Sequence, residues 1–180
     1  MASYQDFQLI QTAVNKAMDD YGEKYRFDRK DAGFYWFVAE NIFNLQEDEI
    51  DGAYIHTLKP KQELKECLDD NGINAIIIEN NSINIMSFRY IDSFEVSKNN
   101  YFPENELDKV LLFLENLSNK EYDKFNRRLQ EKCLEIFLMQ EKGQYFSFNL
   151  YFVGNYFNGV QSDKIEEFEK KLKHKKMHKL

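Results

Sequence analysis

The stretch that decides the fold is residues 73–90, which read INAIIIENNSINIMSFRY. Two runs rich in β-branched residues, Ile73 to Ile78 and Ile83 to Tyr90, flank the tetrapeptide Glu79-Asn80-Asn81-Ser82. Asparagine tolerates the positive φ angles that tight hairpin turns require, so these two runs predict a β-hairpin.

Two helices are predicted before the hairpin. The first should run from about Tyr4 to Tyr21 and end at Gly22, because apolar residues recur at three- and four-residue steps. These residues are Phe7, Ile10, Val14, Ala17 and Met18. A second helix is predicted from Asp31, as its cap, to Phe43, with enough apolar circumference to be buried. Residues 46–71 are rich in charge and contain Pro60, which predicts a surface insertion with short helical pieces.

After the hairpin, residues 91–100 are predicted to form a polar loop. Pro103 and Glu104 open a helix with an apolar stripe, and a further helix is predicted from Tyr122 to Lys142, ending at Gly143. Residues 144–153 alternate in the manner of a strand, and a last helix begins near Ser162. We therefore expect an α/β (α+β) fold, with a small central mixed sheet that contains a hairpin and is flanked by helices.

The composition predicts a folded protein. Hydrophobic residues make up 43% of 180 residues and include 16 Phe and 11 Tyr, whereas disordered chains are poor in aromatic residues. No apolar run approaches the roughly 20 residues that span a bilayer, so we expect no membrane segment. Because the N-terminus lacks a secretory pattern, we expect a cytoplasmic protein. Cys67 and Cys133 form no CxxC motif and are expected to be reduced thiols.

Charge is distributed unevenly along the chain. Residues 170–180 contain six Lys and no acid, so the other 169 residues hold 18 basic and 31 acidic groups, a balance of +6 against −13. An acidic body repels the phosphate backbone of nucleic acid and suits a basic protein surface. The alternative is that the acid excess only keeps the protein soluble.

The order of elements resembles a known family. A buried helix is followed by Asp70-Asn71-Gly72-Ile73-Asn74-Ala75-Ile76, a hairpin turn, Ile85-Met86-Ser87-Phe88-Arg89-Tyr90, and then Phe102-Pro103-Glu104-Asn105-Glu106-Leu107-Asp108-Lys109. This order resembles the N-terminal part of the AIPR family, named for abortive infection and phage resistance. The resemblance covers roughly residues 30–155 and implies a restriction-endonuclease-like fold of the PD-(D/E)xK class. We expect a single domain over residues 1–180, with an N-terminal helix (1–30), a nuclease-like core (31–160) and a basic C-terminal helix (161–180).

The resemblance also implies where a nuclease site would lie. In the family, an Asp on the first strand holds a divalent metal, and a Gln and a Lys stand on the second strand. This chain has Asn74, Ser87 and Arg89 at those positions. An amide carries no charge, a serine side chain is short, and a guanidinium does not replace an ammonium group. We therefore predict a degenerate site with no catalytic residue, no cofactor and no metal.

Three functions remain open. The first is a non-catalytic inhibitor from a phage or mobile element, of the anti-CRISPR type. Such an inhibitor would lack the long C-terminal part of the family and would dock its acidic surface on a basic protein, with a CRISPR effector nuclease or its nucleic-acid complex as the expected partner. The binding candidates lie in the insertion and are Glu47, Asp48, Glu49 and Asp51. The oligomeric state stays open.

The other two functions involve nucleic acid directly. In a DNA nuclease with migrated ligands, Glu40 or Asp70 would hold Mg²⁺ beside Arg89. In a non-catalytic DNA-binding module, Arg89, Arg127, Arg128 and the C-terminal lysines would contact phosphates. These lysines are Lys170, Lys171, Lys173, Lys175 and Lys176.

Overall fold

The structure is a computed structural model, and it describes residues 3–55, 72–79 and 81–174. These ranges contain seven α-helices, three strands and one short 3-10 helix at Tyr122–Lys124. The elements in chain order are α1 Tyr4–Tyr25, α2 Lys30–Asn41, α3 Glu47–Ala53, β1 Ala75–Glu79, β2 Ser82–Arg89, α4 Phe94–Asn99, α5 Glu104–Ser118, α6 Arg127–Glu141, β3 Ser147–Gly154 and α7 Ser162–His174.

The predicted hairpin is confirmed. β1 and β2 pair antiparallel, with Ala75 opposite Met86 and Glu79 opposite Ser82, so only two residues of sequence separate the paired ends of the strands. A connection of this length fixes the register, and the register in turn fixes which side chains share a face of the sheet.

β3 completes a three-stranded sheet in the order β1-β2-β3. The Ser147 amide donates to the Asn81 carbonyl at 2.9 Å, and Asn149 Nδ2 donates to Asn84 Oδ1 at 2.9 Å. Residue numbers rise together along the two strands, so β3 runs parallel to β2. Parallel strands need a long crossover connection, and here the connection contains α4, α5 and α6. The sheet is therefore mixed, and the predicted fold class is confirmed.

The chain divides into two compact units. The described part of the first unit comprises residues 3–55, 88–102 and 153–159, and that of the second comprises residues 72–79, 81–87, 103–152 and 160–174. The prediction of a single domain stays a prediction.

The core of the first unit is built around Trp36, which is 1% exposed. Its ring lies 4.6 Å from the ring of Tyr21, 4.5 Å from Tyr25 and 6.1 Å from Phe27. Aromatic pairs at such separations add to the stabilisation from buried apolar area. The predicted burial of α2 is thereby confirmed.

The core of the second unit combines isoleucines of the hairpin with apolar side chains of α5 and α6. Ile76, Ile83 and Phe113 have no exposed surface, and Phe113 lies 5.4 Å from Phe125 between ring centroids. Cys133 of α6 is a buried free thiol, and burial raises its pKa to about 12.

The first helix does not end at Gly22 as predicted, because α1 continues to Tyr25. Gly22 is buried, and a Cβ there would lie 2.8 Å from the Phe27 carbonyl oxygen. The left-handed position that ends the helix is occupied by Arg26, with φ 58°. The glycine therefore permits close backbone packing rather than ending the helix.

Two further boundaries differ from the prediction. Residues 91–100 contain the short helix α4, because Ser93 caps its start and the buried Ser97 hydroxyl donates to the Asn155 carbonyl. The predicted helix over residues 122–142 is interrupted at Phe125, which is extended and fully buried, and Asn126 caps a new helix, α6.

Smaller differences concern α2, the insertion and β3. Arg29, not Asp31, is the N-cap of α2, and Asp31 lies in its first turn. The insertion forms α3 near its start, and residues 56–71 lie outside the described residues. Phe148, Leu150 and Phe152 of β3 are half-buried, so the predicted core face of this strand is only partly covered.

Candidate functional site

Asn74 and Ser87, two of the predicted site positions, lie in the second unit, next in sequence to the paired residues Ala75 and Met86. The Asn74 amide donates to the Met86 carbonyl at 2.9 Å although Met86 pairs with Ala75, so the regular register of the hairpin ends at Ala75. Ser87 is 1% exposed, and its hydroxyl has no hydrogen-bond partner among the described residues. The pair supplies an amide and a hydroxyl but no carboxylate.

The structure places a carboxylate near the start of β1 that sequence reasoning did not single out. Glu106 of α5 is 4% exposed, and its Oε1 lies 3.2 Å from the Lys109 ammonium group. Gly72 adopts φ +73°, and a Cβ there would lie 3.0 Å from Glu106 Oε2 and 3.1 Å from Lys109 Cβ. A buried acid packed this tightly against a cation and backbone fits a structural ion pair. The only signal in the sequence was acidic residues in the first turn of a helix.

Glu40 and Arg89 belong to the first unit. Arg89 is half-buried at the end of β2, and its Nη1 donates to the Phe88 carbonyl at 2.6 Å. Glu40 is exposed on the last turn of α2. The Tyr21 hydroxyl donates to Glu40 Oε1 at 2.9 Å, and Asn41 Nδ2 lies 3.4 Å from Oε2. Asp70, the remaining predicted position, lies outside the described residues.

The hydrogen bond to Glu40 changes the acidity of Tyr21. It is the largest cause that raises the pKa of Tyr21 to about 12, because a phenol that donates to a carboxylate is stabilised in its neutral form. The Tyr21 hydroxyl therefore stays protonated, and able to donate to Glu40, throughout the neutral pH range.

A cleft of about 280 Å³ lies between α1 and α2, and Glu40 lines it. Ala13 and Ala17 lie one helical turn apart on α1, and their small side chains leave space beside Phe37. The polar groups that line the cleft are Lys16, Asp20, Tyr21, Glu40 and Asn41. This is a mixed aromatic and polar cavity with two carboxylates and one amine.

The four acidic binding candidates differ in how strongly the structure engages them. Glu47 accepts hydrogen bonds from the Lys24 ammonium group and, at 2.8 Å, from the Tyr25 hydroxyl, and these bonds lower the pKa of Glu47. Glu49 accepts from the Gln46 amide at 2.7 Å and closes a capping box at the start of α3. Asp51 is half-buried, and Asp48 is exposed. Reversal of all four charges would disturb α3. Asp48 is the position of the four at which a charge reversal should affect the fold least.

Acidic groups outnumber basic groups most clearly in residues 3–55. This range contains 11 Asp and Glu against 5 Lys and Arg, a balance of −6, and we call it the acidic segment. Asp19, Asp20, Glu23, Glu40 and Asp48 are all exposed within it. The segment presents carboxylates to any partner in solution.

The C-terminal lysines are only partly free to bind phosphate. Lys171 Nζ lies 3.1 Å from Asp108 Oδ1 and 3.0 Å from Glu167 Oε1, so its charge is compensated. Lys170 and Lys173 are exposed on α7, and Lys175 and Lys176 lie outside the described residues. Exposed ion pairs of this kind contribute little to stability, but they reduce the field that a polyanion would experience.

The described part of the chain contains neither a metal-binding cluster nor a membrane-spanning helix. Within it, no group of three or more His, Cys, Asp or Glu side chains is placed to hold a metal ion. None of its helices combines the length and apolar character needed to cross a membrane. Comparison of the chain with family models, with curated proteins and with solved structures found no match.

Proposed function

We propose that this chain is a non-catalytic protein-binding module that docks the acidic segment on a basic, nucleic-acid-binding groove of a partner protein. The observation that carries the proposal is the balance of −6 over residues 3–55, with its exposed carboxylates on α1, α2 and α3. Complementary charge accelerates encounter and makes binding sensitive to salt.

The positions that resemble the AIPR nuclease site support a function without chemistry. Asn74 and Ser87 supply no carboxylate, and Glu106, which packs beside Gly72, is paired with Lys109. Mg²⁺ favours oxygen ligands with negative charge, which this arrangement does not offer. On this proposal the chain is a degenerate nuclease fold from a phage or mobile element that acts in the cytoplasm on a CRISPR effector nuclease.

The first test measures binding to purified CRISPR effector nucleases, with and without guide RNA, at low and at high salt. Reversing three exposed charges, Asp19→Lys, Glu23→Lys and Asp48→Lys, should weaken binding roughly tenfold or more, because like charges would then face the basic groove. A matched control reverses three exposed acids in the second unit, Glu141→Lys, Glu166→Lys and Glu169→Lys. The control has the same net charge and should bind nearly as well as wild type.

Equal weakening by both triple variants would show that only net charge matters and would remove the acidic segment as the docking surface. Absence of binding to every effector tested would contradict the proposal that the partner is a CRISPR effector nuclease.

A nuclease assay with Mg²⁺ and Mn²⁺ on plasmid DNA addresses the catalytic alternative. Cutting that disappears in Glu40→Ala or Asp70→Ala would show a migrated active site and overturn the proposal.

A further inference from the structure

The cleft between α1 and α2 is a preorganised anionic pocket. Tyr21 is packed against Trp36, with ring centroids 4.6 Å apart and planes inclined by 23°, and Trp36 is itself almost fully buried. Tyr21 in turn holds Glu40 Oε1 through a 2.9 Å hydrogen bond. A carboxylate fixed in this way loses little conformational entropy when a ligand binds.

The lining of the cleft also restricts what can bind. Asp20 adds a second carboxylate, and Phe37 and Tyr21 add aromatic surface next to the space left by Ala13 and Ala17. Two carboxylates repel phosphate groups, which argues against a nucleotide or nucleic acid in this cleft. A cation with a flat apolar face satisfies both the charges and the aromatic rings.

Guanidinium has this combination of properties. It is planar, it stays protonated, it presents several N–H donors in a fixed fork that suits a carboxylate, and it stacks on aromatic rings. An ammonium group offers a point charge without the flat face. Arginine is also enriched at the centres of protein interfaces.

We infer that the cleft between α1 and α2 receives an arginine side chain of the basic partner, with its guanidinium group between Glu40 and Asp20 and beside Phe37. This inference rests on the proposed function, because it identifies the residue type through which the partner docks. Lys16, which also lines the cleft, makes no ion pair with a carboxylate in the described ranges and opposes the incoming cation.

The test uses the full chain, with N-acetylarginine amide as the probe, followed by amide chemical shifts. The arginine probe should shift amides of α1 and α2 around the cleft, whereas the matched citrulline amide, which has a similar shape but no charge, should not. Glu40→Gln should weaken the arginine probe about tenfold, since a fixed charged acceptor is lost. Asp48→Asn makes the same charge change outside the cleft and should leave binding nearly unchanged.

A second variant tests the geometry from the opposite direction. Lys16→Gln removes the one amine among the described residues that line the cleft and should strengthen binding of the arginine probe severalfold. Equal shifts by citrulline and arginine amides would overturn the inference, as would equal weakening by Glu40→Gln and Asp48→Asn. Thermal melts of each variant establish that the fold is intact.

The two proposals can fail separately. If arginine amide binds in the cleft but no effector nuclease binds the chain, the inference stands and the proposed function falls. If an effector binds wild type and Glu40→Gln equally well, the proposed function stands and the arginine inference falls.

Discussion

Gly33 lies where α2 packs tightly against α1. A Cβ at this position would lie 2.6 Å from Met18 Cγ and 2.9 Å from the Val14 carbonyl oxygen. We expect Gly33→Ala to destabilise the protein by roughly 1–3 kcal/mol, because the two helices must move apart to accept a methyl group. Chemical denaturation provides the measurement.

Gly52 provides the matched control. It lies in α3, and a Cβ there would meet no atom within 4 Å. Gly52→Ala should therefore raise the free energy of unfolding by about 0.5–1 kcal/mol, since alanine loses less backbone entropy in a helix. A Gly33→Ala protein as stable as Gly52→Ala would contradict the observed helix packing.

The burial of individual side chains is predictable from the sequence only in part. Phe7, Val14 and Ala17 were predicted to face inward and are buried, because periodicity reports on one helix face. The pairing of Glu106 with Lys109 is local in sequence, but the burial of Glu106 is not. Its burial depends on packing beside Gly72, a residue 34 positions away, and could not be predicted from the helix pattern.

At the scale of elements, Asn126 decides where α6 begins. Its side-chain oxygen accepts a hydrogen bond from the Leu129 amide at 3.0 Å. Asn126→Ala should lower the free energy of unfolding by about 1 kcal/mol, because a helix N-terminal amide loses its partner. Denaturation curves measure the change, and Asn126→Asp, which keeps an acceptor, is the control. If the two variants are equally destabilised, the cap is not what begins this helix.

The predicted elements differ in how local their causes are. The hairpin follows from two β-branched runs on either side of an Asn-rich stretch, so its presence was predictable locally, whereas the pairing of Glu79 with Ser82 was not predicted. The split before α6 was missed because Phe125 leaves the helical path to pack against Phe113, a contact between residues 12 positions apart. Local patterns specify an element more reliably than they specify where it stops.

For the whole molecule, ionisation predicts a loss of stability at both ends of the pH scale. Hydrogen bonds from Lys30 lower the pKa of Asp92, and bonds from Lys171 lower that of Glu167. A carboxylate whose pKa is lower in the folded state contributes stability when the pH lies above its unfolded pKa. That contribution is lost as the pH falls below about 4.

Tyr21 and Tyr90 have pKa values raised to about 12, Tyr21 mainly through Glu40 and Tyr90 mainly through burial. Their contribution is present below about pH 10 and is lost as the pH rises towards 12.

We therefore expect the free energy of unfolding to be nearly constant between about pH 5 and 9 and to fall outside that window. Urea denaturation across the pH range measures it. The double variant Tyr21→Phe, Tyr90→Phe should show a shallower alkaline decline than wild type, with the acidic decline unchanged. If the free energy of unfolding falls equally steeply at alkaline pH in both proteins, ionisable groups other than Tyr21 and Tyr90 cause the decline.

The amino-acid sequence sufficed for the class of fold, the presence of the hairpin and the faces of the amphipathic helices, because each follows from neighbours within a few residues. It also sufficed for the charge imbalance of the acidic segment. Tertiary structure alone decided that Gly22 lies inside a helix, that Glu106 is buried, and that Tyr21 holds Glu40 at the edge of a cleft. Each of these three features depends on which residue, distant in sequence, packs beside the residue concerned. The periodicity of apolar residues along the chain does not specify that neighbour.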